Sequence, residues 1–143
     1  MRALLDVNVL IALLDASHLR HRPATEWLAS HIDEGWASSP ITQNGCIRIL
    51  SQPGYPNPVP ASQAAERLAE ATRHPSHAFW ADSISLLEPG HLVWERILSP
   101  RQVTDAYLLA LAVQQGGRFV TLDRGIPVDA VGGASPGHLV VIS

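Results

Sequence analysis

A chain of 143 residues, 46% hydrophobic and 16% charged, is long enough to bury roughly 70% of the surface its unfolded form exposes, and is expected to fold as one domain spanning residues 1–143. Its lone Cys46 excludes an internal disulfide and leaves no second thiol for a zinc site, so it is expected to pack as a small core residue in a reducing, cytoplasmic compartment. The net charge of −3 argues against nucleic-acid binding through a broad basic surface; all ten basic residues are Arg and Lys is absent, so a polyanion would be met locally by guanidinium groups, which can hold phosphate bidentately.

The first apolar run, Arg2 to Leu5, reads as a short buried strand ending at Asp6, with a helix from Val9 to Leu14. Asp6, Asn8 and Asp15 interrupt this run, which argues against a signal peptide. The run also falls short of the roughly 20 apolar residues that span a bilayer, and no other segment comes closer, so no membrane segment is expected. A second helix is expected from Pro23 to Ile32, because Pro suits a first helical turn and Gly35 follows as a stop. Trp36 to Ser38 is a brief strand and Ile41 to Leu50 a third helix. Residues 51–60 hold four prolines in ten positions and must be a loop. The alanine-rich stretch 61–74 is expected to be helical, with Ala65, Leu68, Ala69 and Thr72 on one face. Between residues 79 and 98 the pattern suggests a strand near Ile84 and a helix from His91. In residues 99–117 Ser99 is positioned to cap, Pro100 to open the helix and Gln102 to complete a capping box, with Gly116-Gly117 as the stop. Residues 118–122 and the run "HLVVI" are the last strands. Alternating strands and helices define an α/β domain with a mostly parallel sheet.

Asp6 and Asp123 both fall where an apolar strand ends, and in open α/β sheets ligands bind beyond the carboxyl ends of the strands. Asp105 lies in the early turns of the helix that feeds the strand before Asp123, so a crossover could bring it to the same crevice. An alternative for Asp6 is simpler: it caps the helix that follows. Three carboxylates at one place need protonation or a cation, since two unit charges about 5 Å apart repel by roughly 3 kcal/mol at an effective dielectric near 20. An oxygen-only set suits Mg²⁺ or Mn²⁺. Two such cations could activate a water and neutralise a phosphodiester, which gives an acidic protein a way to handle an acidic substrate. His18-x-x-His21 and His74-x-x-His77 have no third ligand, which disfavours zinc. The absence of Lys disfavours receiver domains, haloacid-dehalogenase-type phosphatases and P-loop nucleotidases, which use a lysine on the phosphoryl group.

The stretches "LLDVNVLIALL", "QVTDAYLLALA" and "VTLDRG", in that order and at those intervals, together with "PITQNGCIRIL", closely resemble the PIN-domain ribonucleases, in particular the VapC-like toxins of bacterial toxin–antitoxin pairs. The resemblance covers essentially the whole chain. It implies an α/β/α sandwich, Mg²⁺-dependent cleavage of RNA (Mn²⁺ serving in its place), a homodimer, and inhibition by a small cognate VapB-like antitoxin. Carried over, Asp6, Asp105 and Asp123 form the catalytic and metal-holding cluster, with Asn8 and Thr121 as auxiliary polar residues. The family usually has a Glu near the start of its third helix; here Gln43 stands there, followed by Asn44, and Asp82 or Glu88 are the candidates to replace the missing charge. A PIN-like binding module that has lost catalysis is the alternative. For a partner, the Pro-rich loop at residues 51–60 and the helices on either side, carrying Trp27, Tyr55 and Leu68, are candidates to frame an apolar groove for an antitoxin helix or extended tail, with core packing the favoured reading for Trp27.

Overall fold

The computed structural model describes residues 1–143. Five strands form one all-parallel sheet: β1 (Ala3–Leu5), β2 (Trp36–Ser38), β3 (His77–Phe79), β4 (Arg118–Thr121) and β5 (Leu139–Val141), in the order β3-β2-β1-β4-β5. The order reverses at β1: β2 and β3 are added on one side of it, β4 and β5 on the other. The crevice between the ends of β1 and β4 is therefore the topological switch point, where open α/β sheets bind ligands.

Side chains alternate across the sheet with the two-residue period of a strand. Ala3 and Leu5 of β1 face α1 (Val7–Leu14), α2 (His21–His31), α3 (Pro40–Leu50) and α4 (Ala61–Thr72), packing with Leu10, Cys46, Leu50, Leu68 and Val120. Leu4, Ala37 and Phe119 face the other way, onto α5 (Arg101–Gln114), whose residues Ala106 to Ala112 are all buried. With helices on both faces, the architecture is the α/β/α sandwich expected, and Cys46 is a buried free thiol, its pKa pushed up to about 12 by desolvation.

Several boundaries differ from the pattern-based reading. α1 begins at Val7, because Asp6 caps it directly, and α2 begins at His21 and gives way at Ile32–Glu34 to a 3₁₀ turn. α3 starts at Pro40 behind a capping box between Ser39 and Thr42. In α4 the buried positions are Ala64 and Leu68, while Ala69 is exposed. Ser99 does not cap α5; the Gln102 side-chain carbonyl instead accepts from Leu98 N–H at 2.7 Å.

The larger correction lies at residues 79–98. The strand is His77–Phe79, paired with β2, and the chain leaves the sheet after Trp80 donates to the Ser38 carbonyl at 2.9 Å. Ile84 is buried against the α5 face without being in a strand, and His91 opens no helix: Pro89 and Gly90, the latter at φ +97°, break the backbone, and only a 3₁₀ turn at Trp94–Arg96 follows. This irregular stretch is held by an antiparallel bridge between Leu92 and Val131, flanked by hydrogen bonds from Val93 N–H to Ala130 and from Gly132 N–H to His91 at 2.8 Å each. No helix is long and apolar enough to cross a membrane.

Candidate active site

Asp6 is the residue after β1 and the N-cap of α1, and both roles fix its carboxylate. Oδ1 accepts from Val7 N–H at 2.7 Å and Oδ2 accepts from the Thr121 hydroxyl at 2.7 Å; the residue is only 7% exposed. The side chain that caps α1 is thus also one that borders the cleft described below. Thr121, the last residue of β4 and fully buried, is the hub: besides donating to Asp6, its Oγ1 accepts from Asp123 N–H at 3.0 Å and from the Asn8 side-chain amide at 3.3 Å. Asn8 accepts Leu122 N–H at 3.2 Å through its own carbonyl oxygen. Its amide is therefore used at both ends to brace the β4 exit against α1.

Asp123 sits in the turn after β4, where its Oδ1 accepts Gly125 N–H at 2.8 Å and its Oδ2 lies 4.0 Å from Arg101. Asp105, half-buried in the second turn of α5, completes the group. Asp6, Asp105 and Asp123 line one open cleft of about 340 Å³, together with Asn8, Arg48 and Arg101. Desolvation first, and then the nearby charges of Asp6 and Asp123, push the Asp105 pKa up to about 6, with Arg101 opposing. Burial also raises Asp6, against the Thr121 and Val7 hydrogen bonds that favour its charged form; the Asp123 charge adds to the rise. Burial and like charge together disfavour the ionised carboxylates, the electrostatic condition under which a cation is welcome.

No three Asp, Glu, His or Cys side chains converge closely enough to enclose a metal ion. An open set is nonetheless a fit for Mg²⁺, which keeps several waters and is commonly held by one or two carboxylates together with substrate phosphate oxygens. A closed four-ligand cage would instead be the signature of structural zinc.

Gln43 does not line the cleft; its amide donates to Ser38 Oγ at 3.0 Å, on the β2 side of α3. One residue on, a helix turns by about 100°, and Asn44 is exposed in the adjoining hollow instead. The cause of this phase is Gly45: a Cβ there would lie 2.7 Å from Val7 Cγ2, so α3 can approach α1 this closely only with glycine at the contact. Asp82 borders the same hollow, its Oδ2 accepting Ile41 N–H at 3.2 Å in the first turn of α3. Glu88 lies elsewhere, paired with His91 at 3.3 Å. Arg48, Arg101 and Thr104 were not singled out by the sequence motifs. Arg101, four residues before Asp105 on one helix face, carried a readable signal; Arg48 carried none.

The expected apolar groove is not formed. Leu68 is in the core, whereas Trp27 lines a hollow with the C-terminal residues and stacks on His31, and Tyr55 lines another beside Asp15 and His18.

An α/β/α sandwich with carboxylates at its switch point has a matching family: residues 3–128 match the PIN domain, and the chain belongs to the PIN-domain family. Among curated proteins it is similar to Ribonuclease VapC44 of Mycobacterium tuberculosis, with 51% identity over 142 residues covering 99% of this chain and 100% of the relative. It is also 39% identical to Ribonuclease VapC39 of the same organism over 135 residues, 93% of this chain and 96% of that one. Among solved structures, the crystal structure of Mycobacterium tuberculosis VapC20, described as a sarcin–ricin loop cleaving toxin, shares the fold at a TM-score of 0.59 and 18% identity, covering 81% of this chain and 85% of that one.

Proposed function

We propose that residues 1–143 act as one PIN domain, a VapC-like toxin that cleaves RNA with a divalent cation held by Asp6, Asp105 and Asp123. The single observation that carries this reading is the placement of three carboxylates, one of them raised to about pKa 6 by burial and then by its acidic neighbours, around one cleft at the switch point of a PIN-family sheet. The names of the VapC relatives, similar over nearly the full chain, support the ribonuclease class. Bound Mg²⁺ or Mn²⁺ supplies a polarised water and neutralises charge on a phosphodiester. The protein's own groups do the rest. Asp6, oriented by Val7 N–H and Thr121, presents a fixed carboxylate; Asp105 in its ionised form adds the second charge; Asp123, tied by Gly125 N–H, faces them from the β4 turn. Arg48 and Arg101 place positive charge at the same cleft, which lets a protein of net charge −3 admit a polyanion.

The toxin reading carries a VapB-like antitoxin as partner, a homodimer as the working state and the cytoplasm as the place of action. Incubation of the pure protein with total RNA and Mg²⁺, followed by mapping of new 5′ ends, tests it. Discrete cuts that vanish in chelator are expected. Intact RNA at all metal concentrations would instead establish a non-cleaving PIN-like module.

A further inference from the structure

Beside the acid cleft lies a second hollow of about 430 Å³ between the start of α3, Asp82 and α5. We propose that this hollow seats the nucleotide adjoining the cut, with Arg48 on its phosphate and Asn44 and Thr104 at the hydrogen-bonding edge of its unpaired base. The inference rests on the ribonuclease reading and specifies where that enzyme would read sequence.

Continuity is the first reason. Val7, Gly45, Arg48 and Thr104 border both the hollow and the acid cleft, so the two are compartments of one trench. Gly45 makes the dividing wall low, since it has no side chain and the Val7 methyl occupies the space a Cβ would need. A chain whose scissile phosphate lies at Asp6 and Asp105 therefore continues into this space. Its volume falls within the roughly 300–1,000 Å³ range of small-ligand sites.

The state of the polar groups is the second. The Asn44 amide, the Arg48 guanidinium and the Thr104 hydroxyl form no hydrogen bond or ion pair inside the chain, although they border one hollow. The side chains of Arg67, Arg73, Arg124, Asn57 and Gln115 are likewise without partners, but none of them borders either compartment, and other amides near the trench are tied within the chain. Asn8 is used at both ends of its amide and Gln43 is tied to Ser38. Arg2 donates to the Trp36 and Ser76 carbonyls, Arg20 to Ile142, Arg96 to Asp129, while Arg22 and Arg118 pair with Glu26 and Glu34. A side-chain amide and a hydroxyl offer both donor and acceptor to a base edge, and a free guanidinium matches a phosphate.

Polarity within the hollow fixes the direction. Asp82 places its carboxylate at the far side, one oxygen on Ile41 N–H and the other without a partner. Negative charge there repels phosphate, so the phosphate belongs at the Arg48 end, which is the end shared with the acid cleft. Pro40 and Ile41 supply apolar surface for the face of the base. Sequence-specific recognition of RNA generally takes such splayed, single-stranded bases.

Two variants at exposed positions test this without disturbing the core. Asn44→Ala and the parent are given the same total RNA with Mg²⁺, and the nucleotides flanking every cut are compared. The expected result is loss of base preference at one position next to the cut, with the Mg²⁺ affinity measured by calorimetry unchanged. Arg48→Gln is introduced into Asp105→Asn, and binding of a labelled single-stranded oligoribonucleotide is followed against salt. Affinity should fall by roughly tenfold and the slope of log K against log salt by about 0.7, the share of one single-strand phosphate. Unchanged preference in Asn44→Ala overturns the inference, as does weakened Mg²⁺ binding with preference intact, which would put Asn44 in the ion shell. An unchanged salt slope in the Arg48→Gln variant overturns the phosphate assignment. RNA that the parent cuts with no dependence on Asn44 rejects only this inference, whereas RNA that the parent leaves uncut rejects the ribonuclease reading and this inference with it.

Discussion

An aspartate stands at each end of α1, and the two are treated in opposite ways. Asp15, the C-cap residue, is half-buried, receives the Tyr55 hydroxyl and Ser17 N–H, and its pKa is lowered chiefly by the Tyr55 bond. Asp6, the N-cap, also accepts two hydrogen bonds and sits at the helix end that favours negative charge, yet its pKa is raised. Burial and the company of other carboxylates outweigh the cap. Asp15 is therefore a tie that fastens the Pro-rich loop to α1, satisfied within the chain, while on the proposed reading Asp6 is held ready for a charge that comes from outside. Hydrogen-bond number does not distinguish the two; burial does first, and the sign of the neighbouring charges adds to it.

The largest effect should come from Asp6→Asn. The amide oxygen can keep Thr121 or Val7 N–H but brings no anionic ligand, so the several kcal/mol of transition-state stabilisation from a positioned metal is lost, a drop of roughly 10²-fold or more in RNA cleavage rate. The melting temperature should not fall, because a raised-pKa carboxylate is not a stabilising one. Asp15→Asn is the converse: cleavage at parental rate with a lower melting temperature. If both variants behave alike, the division between the two ends of α1 is false.

Next in size is Thr121→Val, which removes the hydroxyl joining Asp6, Asn8 and Asp123. Leaving buried polar groups unpartnered costs about 1–3 kcal/mol, read as a shift in urea midpoint, and misplacing a ligand's supporting group typically costs 10–100-fold in activity or metal affinity. Both losses should appear together. For Tyr55→Phe only the stability loss should appear, about 1 kcal/mol. Because the Asp15 pKa is depressed in the fold, that contribution is present above its unfolded value and lost as pH falls through the folded one. The difference between parent and Tyr55→Phe in denaturant midpoint should therefore close below about pH 4.

The smallest effect is one of pH. Asp105 is raised from 3.8 to about 6 in the fold, so between these values the native state binds more protons than the unfolded one. Without metal, the parent should lose stability relative to Asp105→Asn as pH rises through that window, with no further change above it. Added Mg²⁺ should restore the parent and leave the variant unmoved, as expected for a ligand that binds only the assembled site. Equal curves with and without metal would remove Asp105 from the cation's surroundings.

Much of this was readable in the sequence because the signals were local. β1 and β4 are apolar runs that stop at an aspartate, and α5 opens after Pro100 and ends at a glycine stop; together they place Asp6, Asp105 and Asp123. What was not readable depends on contacts between distant segments. That Asn44 rather than Gln43 faces the trench is a one-residue phase set by Gly45 against Val7. β3 was missed because His77, Ala78 and Phe79 form an edge strand with no buried residue, so its hydrogen bonds to β2 and not its hydropathy define it. The apolar groove failed for a similar reason: Leu68 is buried in the core, and Trp27 and Tyr55 pack against that same core while bordering two separate hollows.

The most direct measurement is cleavage of total RNA by three proteins, the parent, Asp6→Asn and Asp15→Asn, each with Mg²⁺ and with chelator. The account predicts mapped cuts for the parent and Asp15→Asn in Mg²⁺ alone, and none for Asp6→Asn under either condition while its melting temperature holds. Cuts by Asp6→Asn at the parental rate, or cuts by the parent that persist in chelator, would contradict it.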